Sequence, residues 1–134
     1  MDAAAALNRW HEVVESRDPV GLPALIAEDA VFRSPAVHTP QEGRDTTVAY
    51  LTAAFRVLGP GLVYEREWLA DDSAVLQFRT TVGDFDVHGV DIITWNADGQ
   101  IVDFTVLVRP VKALHAVIDR LGAELMAMRA STRP

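Results

Sequence analysis

The chain has 134 residues, with 12 basic and 19 acidic side chains, a formal charge of −7 and no cysteine. The length fits one folded domain, and the apolar fraction of 49% is too high for a disordered chain. The acidic balance argues against nucleic acid as a partner, because phosphate binding needs clustered Lys and Arg. The lack of cysteine excludes disulfides, thiol nucleophiles and Cys-ligated metal sites. We see no membrane helix and no secretion signal, so we expect a cytoplasmic protein with no membrane partner.

The first half of the chain predicts three helices and one short strand. Apolar residues recur at helical spacing in residues 3–17, and Asp18 and Pro19 then mark the capped start of a short second helix. Residues 30–34 predict a short strand, and a loop that ends at Gly43 follows it. A third helix ends at a Gly-Pro-Gly sequence. The apolar positions of these helices are Leu7, Trp10, Val14, Leu22, Leu25, Ile26, Val48, Leu51, Phe55 and Leu58.

The second half predicts four antiparallel strands and a final helix that starts at Pro110. The strands are expected at residues 62–69, 74–82, 85–95 and 100–108. The apolar stripe of the helix is formed by Leu114, Val117, Ile118, Leu121, Leu125 and Met128. This stripe covers the mouth of the cone that the sheet and helices are expected to form, or it packs against a partner subunit. We expect one domain over residues 1–130 and a frayed tail over residues 131–134.

This order of elements indicates the α+β class. Helices and antiparallel strands are segregated along the chain, which is not the pattern of a doubly wound sheet. The strands are long for a chain of this length, so the sheet is expected to curve around the N-terminal helices. A curved antiparallel sheet capped by helices forms a cone, and its apolar interior is a natural pocket for a small molecule.

Common catalytic signatures are absent from the sequence. There is no G-x-S-x-G, P-loop, G-x-G-x-x-G or H-E-x-x-H sequence. His11, His38, His88 and His115 lie on four different predicted elements without ligand spacing, and His11 and His115 are expected on helix surfaces. We therefore expect no metal site, and no cofactor is expected.

Several short sequences in a fixed order resemble the SnoaL-like branch of the NTF2-like superfamily, which includes ketosteroid isomerase. The resemblance covers residues 5–110 and implies the cone fold, but it implies no single activity because one fold hosts many functions. The sequences are residues 27–32 leading to Ser34 and Pro35, Gly43 before the third helix, Gly89-Val90-Asp91, and residues 95–101.

A comparison with ketosteroid isomerase implies roles residue by residue. The base position, just before the proline that follows the first strand, is Ser34, which does not accept a proton unaided at neutral pH. Trp10 takes the place of the oxyanion-binding Tyr, whereas the oxyanion-binding Asp matches Asp91. Steroid isomerisation by that mechanism is therefore not expected. Arg79 is a candidate for the middle of the Asp-Arg-Asp arrangement of limonene epoxide hydrolase, but no flanking pocket Asp residues are placed.

Asp91 is the main candidate for chemistry. Strand alternation puts the odd-numbered residues of 85–95 on one face, which is apolar apart from Asp91, while Asp86 and His88 take the other face. Burial there raises the pKa of the carboxyl, so that neutral Asp91 donates a hydrogen bond to a substrate carbonyl or ionised Asp91 acts as a base. The alternative is a structural carboxyl that is satisfied by Trp10 or by the backbone.

The remaining candidates each have two interpretations. His38 lies in the loop that the resemblance places at the pocket mouth; it supplies the base that Ser34 does not, or it is an exposed loop histidine. Ser34 orients a ligand or a water, or it ends its strand through a local backbone bond. Tyr50 points its hydroxyl into the cavity, or lies in the core with its tip in water. The expected pocket walls are Trp10, Trp68, Phe104 and Val106.

The last predicted strand is apolar on both faces, unlike an antiparallel strand with one face in water. Its pocket-facing residues are expected to be Phe104, Val106 and Val108. The outer face is expected to carry Ile101, Leu107, Val90 and Ile92. An exposed apolar patch of this kind is commonly an interface, and the resemblance implies the same. We therefore predict a homodimer through the outer face of the sheet.

Three functions remain open from the sequence. The first is a cofactor-free isomerase, cyclase, hydratase or hydrolase that acts on a small apolar, carbonyl-bearing molecule through Asp91. The second is a non-catalytic protein that binds such a molecule, and the third is a dimeric interaction protein. The missing base favours the second function, and the retained Asp91 favours the first.

Overall fold

The computed structural model describes residues 1–132, which form four α-helices and six β-strands. The helices are α1 (Ala3–Ser16), α2 (Leu22–Leu25), α3 (Arg44–Leu58) and α4 (Val111–Thr132). The strands are β1 (Ile26–Arg33), β2 (Gln41–Glu42), β3 (Val63–Leu69), β4 (Ser73–Val82), β5 (Phe85–Trp95) and β6 (Ile101–Arg109). Of the tail predicted over residues 131–134, the first two residues belong to α4, and Arg133 and Pro134 lie outside the described residues.

The strands form one sheet in the order β2-β1-β6-β5-β4-β3. Strands β3 to β6 are antiparallel to their neighbours, whereas β1 pairs with β6 in parallel. Ile26 begins β1 rather than lying in the second helix, because it pairs with Ile101 and a β-branched side chain suits a strand. The predicted α+β class and the curved sheet with an added C-terminal helix are confirmed.

Strand alternation holds along most of β5, where the odd-numbered residues from Val87 to Trp95 are buried. A register shift after Thr94 pairs Trp95 with Ile101. This shift turns Ile101 into the core, where 1% of its surface is exposed, so its predicted place on the outer face is wrong. Asp91 lies before the shift, and the regular alternation of β5 places it on the inner face of the sheet.

The neighbours of Gly89 on β5 leave no room for a side chain at this position. A Cβ atom at this position would meet the ring of Phe78 and would lie 2.5 Å from the carbonyl oxygen of Leu107. Because a backbone oxygen in a strand cannot move aside cheaply, only glycine fits here. The close approach lets the Phe78 ring pack directly on β5 at the concave face.

The core lies between the concave face of the sheet and the helices. Helix α1 buries Leu7 and Trp10, and α3 buries Leu51. The first half of α4 packs Ala113 and Val117 within the same chain, where at most 1% of either residue is exposed. None of the helices in residues 1–132 is long and apolar enough to cross a membrane.

Candidate functional site

A pocket of about 270 Å³ lies between the concave face of the sheet and helices α1 and α3. Its inner wall includes Trp10, Leu51, Phe104 and Val106, all of which are buried. Asp91 also belongs to this wall, with 6% of its surface exposed. The pocket is therefore an apolar cavity with a carboxyl group at its inner end.

A chain of two hydrogen bonds leads to that carboxyl group. Trp10 Nε1 donates to Tyr64 Oη at 3.1 Å, and Tyr64 Oη donates to Asp91 Oδ2 at 2.7 Å. The indole N–H can only donate, and the Tyr64 hydroxyl donates its one hydrogen to the ionised Asp91 carboxylate, which can only accept. The arrangement holds the carboxyl in one orientation and keeps the other carboxyl oxygen, Oδ1, outside this chain of bonds.

Each member of this chain comes from a different element. Trp10 lies on the buried face of α1, and Tyr64 lies on β3 opposite Phe78. Asp91 lies on β5 between Leu76 of β4 and Val106 of β6, its direct partners in the sheet. Apolar neighbours on both sides therefore exclude water from the carboxyl, as the alternation of the sequence predicted.

Burial raises the pKa of Asp91 from its ordinary 3.8 to about 7, and the hydrogen bond from Tyr64 opposes part of this rise. Burial also raises the pKa of the Tyr64 hydroxyl well above its usual value, and the neighbouring Asp91 adds to this effect. Tyr64 therefore stays a neutral donor at neutral pH. Asp91 populates both its acid and its carboxylate forms there, which suits a group that gives and takes protons.

His11 is more enclosed than its predicted place on a helix surface. Its ring meets the Tyr64 ring edge to face, with centroids 5.5 Å apart, and its Nε2 lies 2.6 Å from Glu67 Oε1. This contact packs the outer side of Tyr64. Within residues 1–132, no group of three or more His, Asp or Glu side chains is arranged to hold a metal ion.

The predicted place of Trp68 in the pocket wall is wrong. The register of β3 against β4 shifts between Tyr64 and Arg66, so that Tyr64 pairs with the inward Phe78 but Trp68 pairs with the outward Val75. Trp68 is consequently 51% exposed, and the guanidinium of Arg66 lies over its ring. One extra residue on the edge strand β3 therefore reverses which face of the sheet the residues after it occupy.

The loop after β1 does not form the mouth of the pocket, so the predicted position of His38 there is wrong. His38 is exposed, and it shares with Ser34 a shallower surface depression of about 400 Å³. The Ser34 hydroxyl accepts a hydrogen bond from the Ala36 backbone at 3.0 Å, which is the local strand-ending role. Tyr50 stacks on Phe32 at 5.3 Å and does not line the pocket.

Of the predicted site residues, the pocket brings together Asp91, Trp10, Phe104 and Val106. Tyr64 was not among the candidates. The sequence does carry a signal for it, because alternation puts Glu65 and Glu67 on one face of the strand predicted at 62–69 and Tyr64 on the other.

Together, the fold and the site define a class of protein: an α+β cone with an apolar pocket and a buried carboxyl. The SnoaL-like domain family matches residues 7–104, which is more than half of the chain, and the chain belongs to this family. The predicted resemblance to SnoaL-like and NTF2-like proteins is therefore confirmed. A search of functionally curated proteins gave no match.

Solved structures support the same assignment. A steroid delta-isomerase from Pseudomonas aeruginosa is 39% identical, with a TM-score of 0.90 over 96% of this chain and 94% of that one. A bacterial protein with a cystatin-like fold from Silicibacter pomeroyi is 36% identical, with a TM-score of 0.83 over 90% and 85%. An NTF2-like protein of unknown function from Mesorhizobium loti is 28% identical, with a TM-score of 0.70 over 80% and 90%.

Proposed function

We propose that this protein is a cofactor-free acid–base catalyst of the isomerase type, acting on a small apolar molecule that carries a carbonyl group. The observation that carries the proposal is Asp91, a carboxyl with a pKa of about 7 at the inner end of an apolar pocket. A proton-transfer catalyst works best when its pKa lies near the operating pH. The similarity to a protein described as a steroid delta-isomerase supports an apolar carbonyl compound as the substrate class.

The proposed step moves one proton within the substrate. Ionised Asp91 takes a proton from the carbon next to the carbonyl, so a C–H bond breaks, an O–H bond forms and the substrate becomes its enolate. The neutral acid then returns the proton to another carbon of the same molecule, and the double bond has shifted. Tyr64 donates to Oδ2 throughout and keeps the carboxyl oriented, while Trp10 fixes the Tyr64 hydroxyl.

The site differs from the ketosteroid isomerase pattern in its number of carboxyl groups. Asp91 is the one acidic side chain among the pocket-lining residues of the described chain, and Ser34 lies outside the pocket. In the proposed step Asp91 therefore takes the role of the base, and no second carboxyl is available to bind the oxyanion. The volume of about 270 Å³ lies just below the roughly 300–1,000 Å³ of sites for drug-sized ligands, which favours a compact substrate.

The test uses a small unconjugated ketone, cyclohex-3-en-1-one. Its conversion to the conjugated isomer is followed by ultraviolet absorbance, and the exchange of its α-protons in deuterium oxide is followed by NMR. We expect Asp91→Asn to lower both rates by about 100-fold or more. Asp86→Asn is the matched control, because Asp86 is exposed on the same strand and should leave both rates unchanged. Equal rates in the wild type and in Asp91→Asn would refute the proposal.

One observation favours a second candidate, a non-catalytic binding protein. Trp10, Tyr64 and Asp91 satisfy one another by hydrogen bonds, so the carboxyl has a structural role even without a substrate. This function predicts saturable binding of apolar ketones with no proton exchange above the rate in buffer. The exchange experiment separates the two candidates directly.

We further propose that a second copy of the chain covers the outer face of the sheet. Leu107 is 53% exposed there, and Val90 and Ile92 lie half-buried on the same face. Val90 and Leu107 also line a depression of about 330 Å³ on that face. Light scattering at micromolar concentration should give a dimer for the wild type and for Met126→Glu, whose position on α4 is 71% exposed, but a monomer for Leu107→Glu. A monomeric wild type would refute this arrangement.

A further inference from the structure

Two arginines line the pocket, although the whole chain carries a formal charge of −7. Among the described residues that line the pocket, the charged side chains are Asp91, Arg17 and Arg56. Asp91 lies at the inner end, whereas Arg17 and the side chain of Arg56 are exposed to solvent as well as lining the pocket. The two arginines therefore mark the opening, and the apolar wall separates them from the carboxyl.

Arg17 is anchored in a way that leaves part of its guanidinium free for a ligand. The residue follows the last turn of α1 in a left-handed conformation, with φ of 57°. Its Nη1 donates to the carbonyl oxygens of Gly59 at 3.3 Å and Pro60 at 2.6 Å. Nη2 and Nε have no hydrogen-bond partner among residues 1–132. A guanidinium that is fixed at one nitrogen presents its other donors with little loss of conformational freedom on binding.

Arg56 also lines the pocket, and it lies in the last turn of α3. Its Nη1 lies 3.7 Å from Glu124 Oε2, which is beyond hydrogen-bonding distance. Both side chains of this pair are partly exposed, and such pairs contribute little to stability. A ligand anion can therefore draw the Arg56 guanidinium toward the pocket at small cost.

From this arrangement we infer that the ligand is an amphipathic oxo acid, which carries a carboxylate at one end and an apolar carbonyl-bearing body at the other. Arg17 and Arg56 bind the carboxylate at the mouth, and the body extends along the apolar wall toward Asp91. Gly59 and Pro60 also line the pocket, and their carbonyl oxygens, which accept from Arg17, repel a phosphate dianion more strongly than a singly charged carboxylate. The inference rests on the proposed function, because it assumes that this pocket is the ligand site, and it adds the charge of the ligand.

The test compares 4-oxo-4-phenylbutanoate with its methyl ester, which lacks the charge and adds one methyl group. Calorimetric titration of the wild type should show the carboxylate binding about tenfold more tightly than the ester, because it gains charge-assisted hydrogen bonds at the mouth. The double variant Arg17→Gln/Arg56→Gln should bind both probes with equal affinity. Its affinity for the ester should match that of the wild type, which shows that the pocket is still folded. Arg66→Gln, on β3 outside the pocket, should keep the tenfold preference.

Equal affinity of the wild type for the two probes, a preference that survives in the double variant, or no binding of either probe would overturn the inference. The proposed function has a separate readout. If the preference depends on the arginines but Asp91→Asn exchanges α-protons as fast as the wild type, the proposed catalysis fails and the anionic ligand stands. If exchange depends on Asp91 but the ester binds as well as the acid, the catalysis stands and the inference about the mouth fails.

Discussion

Replacing Asp91 with Asn should change how the stability of this protein depends on pH. The carboxyl titrates near 3.8 when it is exposed to water, but burial raises its pKa to about 7 in the folded chain. Asn has nearly the same shape and can accept the hydrogen bond from Tyr64 through its carbonyl oxygen, but it does not ionise. The substitution therefore removes the titration and leaves the packing of the site nearly unchanged.

The sign follows from the protons bound by each state. Between about pH 4 and pH 7 the unfolded chain has lost the proton of Asp91 while the folded chain still holds it, so the free energy of unfolding falls as the pH rises. The stabilising contribution of this group is complete below pH 4 and lost above pH 7. At about 1.4 kcal/mol per pH unit, the loss between pH 5 and pH 8 is about 3 kcal/mol. The Asp91→Asn variant does not suffer this loss.

Urea unfolding at pH 5 and pH 8, followed by circular dichroism, measures the effect. The difference in free energy of unfolding between Asp91→Asn and wild type should shift by about 3 kcal/mol in favour of the variant from pH 5 to pH 8. Taking this difference cancels the titrations that both proteins share. In Asp86→Asn, which changes an exposed carboxyl on the same strand, the difference should stay constant. A shift below about 0.5 kcal/mol in Asp91→Asn, or one of opposite sign, would refute the reasoning.

Three further substitutions test separate parts of the structure. Tyr64→Phe removes the hydrogen bond that favours the ionised carboxyl, so the NMR titration midpoint of Asp91 should move upward by about one pH unit, and an unchanged or lower midpoint would contradict the assigned bond. Gly89→Ala forces a methyl group against Phe78 and the neighbouring backbone, so it should lower the free energy of unfolding by about 2 kcal/mol or more. An unchanged melting temperature would show that the sheet has room for a side chain at this position. Trp68→Ser should leave ligand affinity within about twofold of wild type, because this half-exposed side chain lies outside the pocket. A tenfold loss of affinity by calorimetry would instead show that Trp68 contacts the ligand.

The sequence was sufficient for the fold and for the most important residue of the site. Helical and alternating periodicities located the long elements, and the order of these elements led to the cone. Alternation on β5 also placed Asp91 among inward apolar residues, because that strand is regular over the positions concerned. Trp10, Phe104 and Val106 followed from the same kind of argument. Local period is a strong signal wherever the backbone remains regular.

The errors lie where the backbone departs from that period. A single register shift on β3 sends Trp68 outward and leaves Tyr64 facing inward, and a second shift turns Ile101 into the core. The residues around each shift read as continuous strand in the sequence, because an extra residue in one strand changes the pairing and not the composition. Tyr64 lies before the shift on β3, so its inward position, unlike that of Trp68, agrees with simple alternation.

The residues at the mouth of the pocket were not predicted from the sequence for a different reason. Arg17 and Arg56 are separated by 39 positions in the chain, and they meet at the opening because α1 and α3 end on the same side of the sheet. The resemblance placed His38 there instead, but the loop that carries it lies along another depression. Which chain ends come together depends on helix lengths and packing angles, which periodicity does not specify.

The most direct measurement of the central claim is the pH titration of the Asp91 carboxyl itself. Carbon-detected NMR of protein labelled at the carboxyl carbons of Asp, with Asp91→Asn to assign the signal, gives the midpoint without any substrate. The structure predicts a midpoint near pH 7, because burial raises the pKa of Asp91 to about 7. A midpoint near pH 4 would mean that water reaches the carboxyl in solution, and it would contradict the account of Asp91 as the group that takes and returns a proton at neutral pH.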